Sequence, residues 1–355
     1  MRKISWIALI LIANLIVINT VLYLFINLNY PIVGHDYRLA IPSMLDTLIH
    51  FRNNGISIQW FTPSFGGGIP AYANPNNFQF SILGILPLWV TPWQTAILSS
   101  FFYISLGFLS SYHFFKKVIK LKWEASVLGA VFFSANGFMM ERLAVGHLGY
   151  QPLPALAFIL VLLFDNSLPI ILSGVLIGVT FALILHQAGY FIIVIIGLSI
   201  LIIFPLIQLA QPFKVNWKRL VPILLIGALT GLLLSISKLF AVFSFMRAFP
   251  RLVSDSYVVT PWMGFVGLMM QLLGTMNLVP LLALARLDIN LLPKFLNFAT
   301  GSNYGYWEYD MSLSPVVFAI ILISINRFFH APIKYSKKYL QKNNRLPILF
   351  FIYSL

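Results

Sequence analysis

Long apolar runs separated by short polar segments form the main pattern of this chain. Because about 20 apolar residues cross a bilayer as a helix, these runs predict transmembrane helices. The predicted spans are residues 5–28, 95–115, 125–139, 153–164, 169–185, 191–209, 220–245 and 313–325. The third and fourth runs are short and need flanking residues to reach across. A shorter apolar segment at 78–90 contains Pro87 and is expected to lie at the membrane interface.

Two later stretches complete the predicted architecture. Residues 250–312 contain two apolar stretches, which we interpret as interfacial or re-entrant helices that do not cross the membrane. The apolar run 346–355 is too short to span, so it indicates a ninth helix truncated by the end of the chain. The expected fold is all-α, with one polytopic transmembrane bundle formed by residues 1–355. Its outer loops are residues 29–94, 140–152 and 246–312, of which the first is large.

Basic residues lie between alternate spans and determine the predicted orientation. Their clusters are residues 2–3, 116–122, 214–219 and 327–345. Cytoplasmic loops of membrane proteins are enriched in lysine and arginine, so the N-terminus and these clusters are predicted to be cytoplasmic. Most acidic residues then fall on the extracytoplasmic side. This asymmetry indicates a polar outer surface on which a functional site can lie.

The composition excludes a soluble globular protein. The chain is 59% hydrophobic and 9% charged, with a mean hydropathy of +0.89, whereas soluble domains are about 25% charged. Its net charge of +14 does not indicate nucleic acid, because the basic clusters adjoin the spans and face anionic lipid head groups. The absence of cysteine excludes disulfides, thiolate nucleophiles and zinc–thiolate sites.

The first outer loop contains a candidate general base. Asp36 follows the first predicted span, next to His35, in the segment GHDY at residues 34–37. A positioned carboxylate can accept a proton from a hydroxyl group, although a single loop acid is more often only solvated. Arg38 is a candidate ion-pair partner or phosphate ligand. Asp46 is expected to be a solvated residue of an amphipathic helix.

Further charged residues on the outer side are candidate substrate ligands. Glu141, Arg142 and His147 lie within seven residues of one another in the second outer loop; the alternative is that they anchor a helix end at the interface. Lys238 lies within a predicted span, where an ionisable residue marks a functional site unless it snorkels to the surface. The candidate ligands for a lipid-linked phosphate are Arg142, Lys238, Arg247 and Arg251.

The third outer loop alternates aromatic and acidic residues around Trp307, Glu308 and Asp310. Aromatic faces beside carboxylates suit sugar rings, and an interfacial aromatic belt is the alternative. The outer residues with metal-ligand chemistry are His35, Asp36, Glu141, His147, Glu308 and Asp310. No spacing among them is diagnostic of a metal site. The sequence therefore assigns no cofactor and leaves a divalent cation as an alternative.

Several of these segments together resemble a known family. The chain combines a long first helix, a large outer loop that opens with an acid, and many later spans. Its segments GHDY, QWFTPSFGGGIPAYANP (59–75) and ERLAVGHLGYQPLPAL (141–156) resemble those of the GT-C superfamily of membrane glycosyltransferases. Within that superfamily the chain is most similar to the bacterial YfhO-like multi-span proteins.

The resemblance implies an activity and a location. Its members take a sugar from a polyprenyl-phosphate donor and transfer it to a lipid, glycan or protein acceptor outside the cell. It implies a multi-pass protein of the bacterial inner (plasma) membrane that contacts membrane lipids and binds no nucleic acid. The acid of the family's first loop matches Asp36, which would be the base. This chain has a single Asp there and no paired acidic motif, so a metal requirement is not implied.

A second class of function also fits a polytopic chain of this kind. A non-enzymatic transporter or flippase of lipid-linked saccharides would place its polar residues near the bilayer midplane, often on broken helices. Here the acidic residues lie in outer loops, and the span interiors carry almost no charge. This distribution favours the glycosyltransferase.

Overall fold

The computed structural model describes Pro31 and residues 36–134, 136–210 and 216–250, with the backbone alone for residues 141, 203 and 206–210. The predicted spans 5–28 and 313–325 lie outside the described residues, as do residues 251–312 and 346–355. The candidate site residues that also lie outside them are His35, Arg251, Trp307, Glu308 and Asp310.

The described chain is mostly helical, as predicted. Its helices are α1 (Tyr37–Asn54), α2 (Ser64–Gly67), α3 (Ile82–Ile85), α4 (Pro92–His113), α5 (Trp123–Ser134), α6 (Gly137–Ala144), α7 (Ala155–Phe164), α8 (Ile170–His186), α9 (Tyr190–Ala210) and α10 (Trp217–Ala248). Short 3₁₀ turns cover Leu86–Leu88 and Leu148–Tyr150, and a π turn at Phe114–Val118 extends α4. One antiparallel pair, β1 (Phe61–Thr62) with β2 (Ile69–Pro70), departs from the expected all-α fold.

Five predicted spans coincide with helices α4, α7, α8, α9 and α10. The predicted span 125–139 is wrong as a continuous helix, because α5 ends at Ser134 and α6 begins at Gly137. Asn136 explains the new start, since its side-chain oxygen accepts a hydrogen bond from the backbone N–H of Met139 at 2.9 Å. Asparagine in this position caps the N-terminus of α6, and this hydrogen bond competes with continuation of α5.

Two described helical segments, Pro92–Val118 and Trp217–Ala248, are long and apolar enough to cross a membrane. The apolar helices Leu148–Phe164, Ile170–His186 and Tyr190–Ile202 are shorter. Along α10, Leu225 and Leu233 expose 66% and 68% of their surface. Contiguous exposed apolar surface of this kind is typical of a face that contacts another apolar phase. Length, composition and this exposed face indicate membrane association.

Helix α7 forms the centre of the main hydrophobic core. All of its residues are apolar, and only Phe158 and Phe164 are not fully buried. A helix that is apolar on every side belongs inside a bundle. Its neighbours in the core include Phe114 beyond α4, Ile177 of α8 and Ile223 of α10. The short length of α7 is therefore compatible with its position, since other helices surround it.

Helices α8 and α10 pack through two facing glycine pairs. Each helix carries glycines four residues apart, Gly174 and Gly178 on α8, and Gly227 and Gly231 on α10. A Cβ atom on Gly178 would lie 2.7 Å from the carbonyl oxygen of Gly227 and 2.7 Å from the amide nitrogen of Gly231. Such small-residue pairs let helix backbones approach closely. The pattern was readable in the sequence.

The first outer loop folds back on α1 through a carboxylate. Asp46 accepts hydrogen bonds from Gln59 Nε2 at 2.9 Å, Thr62 Oγ1 at 2.7 Å and Ser64 Oγ at 2.8 Å. The expectation that Asp46 is only a solvated residue is therefore wrong. Three polar side chains that follow α1 converge on this carboxylate, and together they position the β1–β2 hairpin against the helix.

Candidate functional site

The structure brings the first and second outer loops into direct contact at the start of α1. The backbone N–H of Asp36 donates to the carbonyl of Val145 at 3.0 Å, and the Tyr37 hydroxyl donates to the carbonyl of Leu143 at 2.7 Å. Gly146 makes this approach feasible. Its φ is +84°, and a Cβ there would lie 2.5 Å from the backbone nitrogen of Tyr37. Only glycine satisfies both conditions.

Arg142 and His147 form the buried side of this contact. The guanidinium carbon of Arg142 lies 5.1 Å from the ring centre of Phe138 and 4.8 Å from that of Tyr150. A cation over two aromatic faces is attracted by both, so these rings orient the side chain. Arg142 Nη1 donates to His147 Nδ1 at 2.7 Å. Because Arg142 is only 6% exposed, its charge is directed at the imidazole and away from solvent.

Asp36 lies on the exposed side of the same imidazole. Its Oδ2 is 3.3 Å from His147 Nε2, and its side chain is 55% exposed. An arginine side chain has hydrogen-bond donors and no acceptor, so His147 Nδ1 must accept the hydrogen bond from Arg142. In the neutral imidazole the proton is therefore on Nε2. That N–H then faces the carboxylate. Asp36 caps no backbone N–H of α1 with its side chain, which leaves the carboxylate oriented by His147.

This geometry selects between two candidate bases. His147 has one ring nitrogen engaged by Arg142 and the other directed at Asp36, so neither is placed to take a proton from a substrate. The carboxylate of Asp36 is open to solvent, and its Oδ2 lies 3.3 Å from Nε2 of the ring behind it. An exposed, oriented carboxylate is the arrangement that proton transfer from a hydroxyl requires. Within this cluster, Asp36 is the group open to solvent, and His147 and Arg142 lie behind it.

A buried polar network supports the loop that carries His147. Gln151 Oε1 accepts from Ser99 at 2.7 Å and from Gln187 Nε2 at 3.0 Å, and Tyr103 donates to Gln187 Oε1 at 3.0 Å. Gln187 Nε2 also donates to the Leu148 carbonyl at 3.1 Å. Buried polar groups that satisfy one another specify a single packing. This network joins α4, α8 and the turn after His147, and the sequence reading missed it.

The other candidate ligands are not all brought to this cluster. Arg38 is exposed on the first turn of α1, two residues after Asp36, and Arg247 is exposed at the end of α10. Among the described residues, the Asp36 carboxylate lies beside His147 and forms no ion pair with Arg38. Glu141 belongs to α6. Three of the predicted residues, Asp36, Arg142 and His147, therefore form one connected group.

Lys238 contacts a different part of the outer loop. Its Nζ donates to the carbonyls of Tyr72 at 2.7 Å and Asn74 at 2.9 Å, and lies 5.0 Å from the Tyr72 ring centre. The residue is 1% exposed. The Tyr72 hydroxyl also lies 2.9 Å from Ser237 Oγ. Burial raises the pKa of that phenol above its usual value, and the Ser237 contact only partly offsets this. Lys238 thus fastens the outer loop to α10.

Comparisons with known proteins add no further assignment. No family model, no curated protein and no solved structure matches the chain. Within the part of the chain that the structure describes, no three histidine or acidic side chains converge as ligands for a metal ion. Interpretation of the site therefore rests on its own geometry.

Proposed function

We propose that this protein is a polytopic membrane glycosyltransferase that uses Asp36 as its general base. The observation that carries the proposal is the exposed carboxylate of Asp36, oriented by His147 with Arg142 behind it. Its sugar donor is a polyprenyl phosphate, and its acceptor is a hydroxyl of a lipid, glycan or protein outside the cytoplasm. The location is the bacterial inner membrane, with the N-terminus in the cytoplasm.

The reaction exchanges one C–O bond at the anomeric carbon for another and moves one proton. The acceptor oxygen attacks the anomeric carbon while Asp36 takes the hydroxyl proton, and the C–O bond to phosphate breaks with its electron pair on the departing phosphate oxygen. General-base catalysis of this kind contributes typically 10²–10⁴-fold.

The departing phosphate needs a nearby positive charge. Arg142 and Lys238 were the first candidates, but both side chains are buried and bonded to protein groups. Arg38 is the exposed cation next in sequence to the base. We therefore assign the phosphate contact to Arg38 and a positioning role to Arg142. Arg247 and the residues beyond 250 remain candidate sugar or phosphate ligands.

The direct test is sugar transfer by the whole chain reconstituted in liposomes. The substrates are polyprenyl-phosphate hexoses and pentoses with radiolabelled sugars, and the acceptors are lipids and glycans extracted from bacterial membranes. We expect label to move to an acceptor, with release of one polyprenyl phosphate for each sugar transferred. The rival, a flippase, would move the labelled donor across the bilayer and release no polyprenyl phosphate. That result would replace the proposal.

A labelling experiment tests the side on which the cluster lies. The chain contains no cysteine, so single cysteines report their own position. Lys117→Cys lies in the basic cluster after α4 and Asn53→Cys near the end of α1, and both positions are exposed. We expect a membrane-impermeant thiol reagent on intact cells to label Asn53→Cys and to spare Lys117→Cys until the cells are opened. The reverse pattern would place Asp36 in the cytoplasm.

A further inference from the structure

An open apolar groove lies at the opposite end of α4 from the Asp36 cluster. It has a volume of about 360 Å³ and is formed by α4, α7 and α8, which is within the range of about 300–1,000 Å³ typical of ligand pockets. Most of its lining is leucine, with Phe158 and Val161. Leu109 and Leu172 on its walls are 44% and 49% exposed, so the groove opens to the protein surface.

The surface of the groove is apolar, and polar residues border it at one end, the polar end. His113, Ser110 and Ser173 line it where α4 ends and α8 begins. Leu106 lies two turns before His113, about 10 Å away along α4 at 1.5 Å per residue. Apart from His113, Ser110 and Ser173, every residue that lines the groove is apolar. If α4 crosses the bilayer, the polar end lies at the surface and the apolar part extends toward the interior.

His113 and Arg219 both contact Asp165 at the polar end. His113 Nε2 contacts Asp165 Oδ2 at 2.5 Å. Burial alone raises the pKa of Asp165, but hydrogen bonds from His113 and Ser167 outweigh it and lower the pKa to about 2. Arg219 donates to the carbonyl of Asp165 at 3.0 Å and lies 3.4 Å from Ser173 Oγ. The carboxylate is thus held by His113 and Ser167.

Exposed lysines lie close to this end in the sequence. Lys116 and Lys117 follow His113 by three and four residues in the π turn, and both are exposed. Lys116 Nζ donates to the carbonyl of Leu121 at 3.4 Å. Lys218 is exposed beside Arg219 at the start of α10. No acid other than Asp165 lines or contacts the polar end among the described residues. The local charge is positive, next to an apolar channel.

We propose that this groove binds one anionic glycerophospholipid, with an acyl chain along the leucines and its phosphate at the basic end. A neutral lipid would satisfy the apolar lining but not the cations. His113 contacts Asp165 through Nε2, and its imidazole borders the groove at the end where the phosphate would lie. The proposal is independent of sugar transfer, because the Asp36 cluster lies at the other end of α4.

Photo-crosslinking tests the proposal on the full chain in nanodiscs. The probe is phosphatidylglycerol with a diazirine in its acyl chain, compared with the same probe built on phosphatidylcholine. We expect adducts on peptides of α4 and α8, and stronger labelling by phosphatidylglycerol. A lysine at an anionic surface contributes about fivefold in affinity, so Lys116→Gln with Lys117→Gln should remove most of that preference while preserving the fold.

A second variant tests the acyl channel. Leu172→Trp fills the groove from its exposed wall and should abolish labelling of α4 and α8, whereas Leu225→Trp, on the exposed face of α10, should leave it intact. Equal labelling by both probes, labelling unchanged in Leu172→Trp, or displacement by polyprenyl phosphate but not by unlabelled phosphatidylglycerol would each overturn the proposal. The lysine variants decide the matter if Leu172→Trp fails to fold.

Discussion

Asp36→Asn is expected to reduce sugar transfer by about 10²–10⁴-fold, the usual contribution of a general base. The amide matches the carboxylate in size, and its oxygen can still accept from His147 Nε2, which now lies 3.3 Å from Oδ2. It cannot take the acceptor proton. Because the side chain is exposed and caps no backbone group, folding should change little. The measurement is the initial rate of label transfer from the polyprenyl-phosphate donor.

The matched control for this substitution is Glu124→Gln. Glu124 is also an exposed acid at the start of a helix, but it belongs to the basic end of the molecule. Asp46→Asn is unsuitable, because Asp46 accepts three side-chain hydrogen bonds that position the β1–β2 hairpin. A transfer rate for Asp36→Asn equal to that of Glu124→Gln would remove Asp36 from the mechanism.

Gly178→Leu should destabilise the protein more than any substitution at its surface. A Cβ at this position would lie 2.5 Å from Thr230 Cβ and 2.7 Å from two backbone atoms of α10. Overpacking costs about 1–3 kcal/mol, and more where backbone must move. In domains of 150–250 residues a loss of about 3 kcal/mol lowers the melting temperature by about 6–12 °C, and this chain of 355 residues should shift less. Thermal unfolding in detergent measures the shift.

Gly197→Ala on α9 is the control for this prediction. A Cβ at Gly197 would meet no atom within 4 Å among the described residues, and alanine favours a helix over glycine by about 1 kcal/mol. We expect its melting temperature to equal or exceed that of the parent. If Gly178→Leu melted at the same temperature as Gly197→Ala, close packing of α8 on α10 would be wrong.

Sequence alone predicted the positions of the helices, because apolar runs report local length and burial. The runs at 95–115 and 220–245 became α4 and α10, and the interfacial segment 78–90 contains the short helix α3. The glycine pairs of α8 and α10 were not identified from the sequence, although their spacing by four residues is a local property. The helix cap at Asn136 is also a local feature. It was missed because the residues on both sides of Asn136 are mostly apolar and were read as one span.

The contacts between polar side chains could not be predicted from the sequence. The sequence identified Asp36, Arg142 and His147 as candidate site residues. Their arrangement in space depends on Gly146, which allows the second loop to approach the start of α1. The same sequence reading placed Lys238 among the phosphate ligands. Its ammonium group instead donates hydrogen bonds to carbonyl groups 164 and 166 residues earlier in the chain. Contacts at such separations are decided by packing, which no local pattern encodes.

The two carboxylates of the first loop show the distinction most directly. Asp36 and Asp46 are ten residues apart and look alike in the sequence. Tertiary structure exposes Asp36 beside an imidazole and surrounds Asp46 with three hydrogen-bond donors from its own loop. The sequence shows that the loop before the later predicted helices contains acidic residues. Which acid can reach a substrate was decided only by folding, because exposure and hydrogen bonding depend on the residues that pack around each side chain.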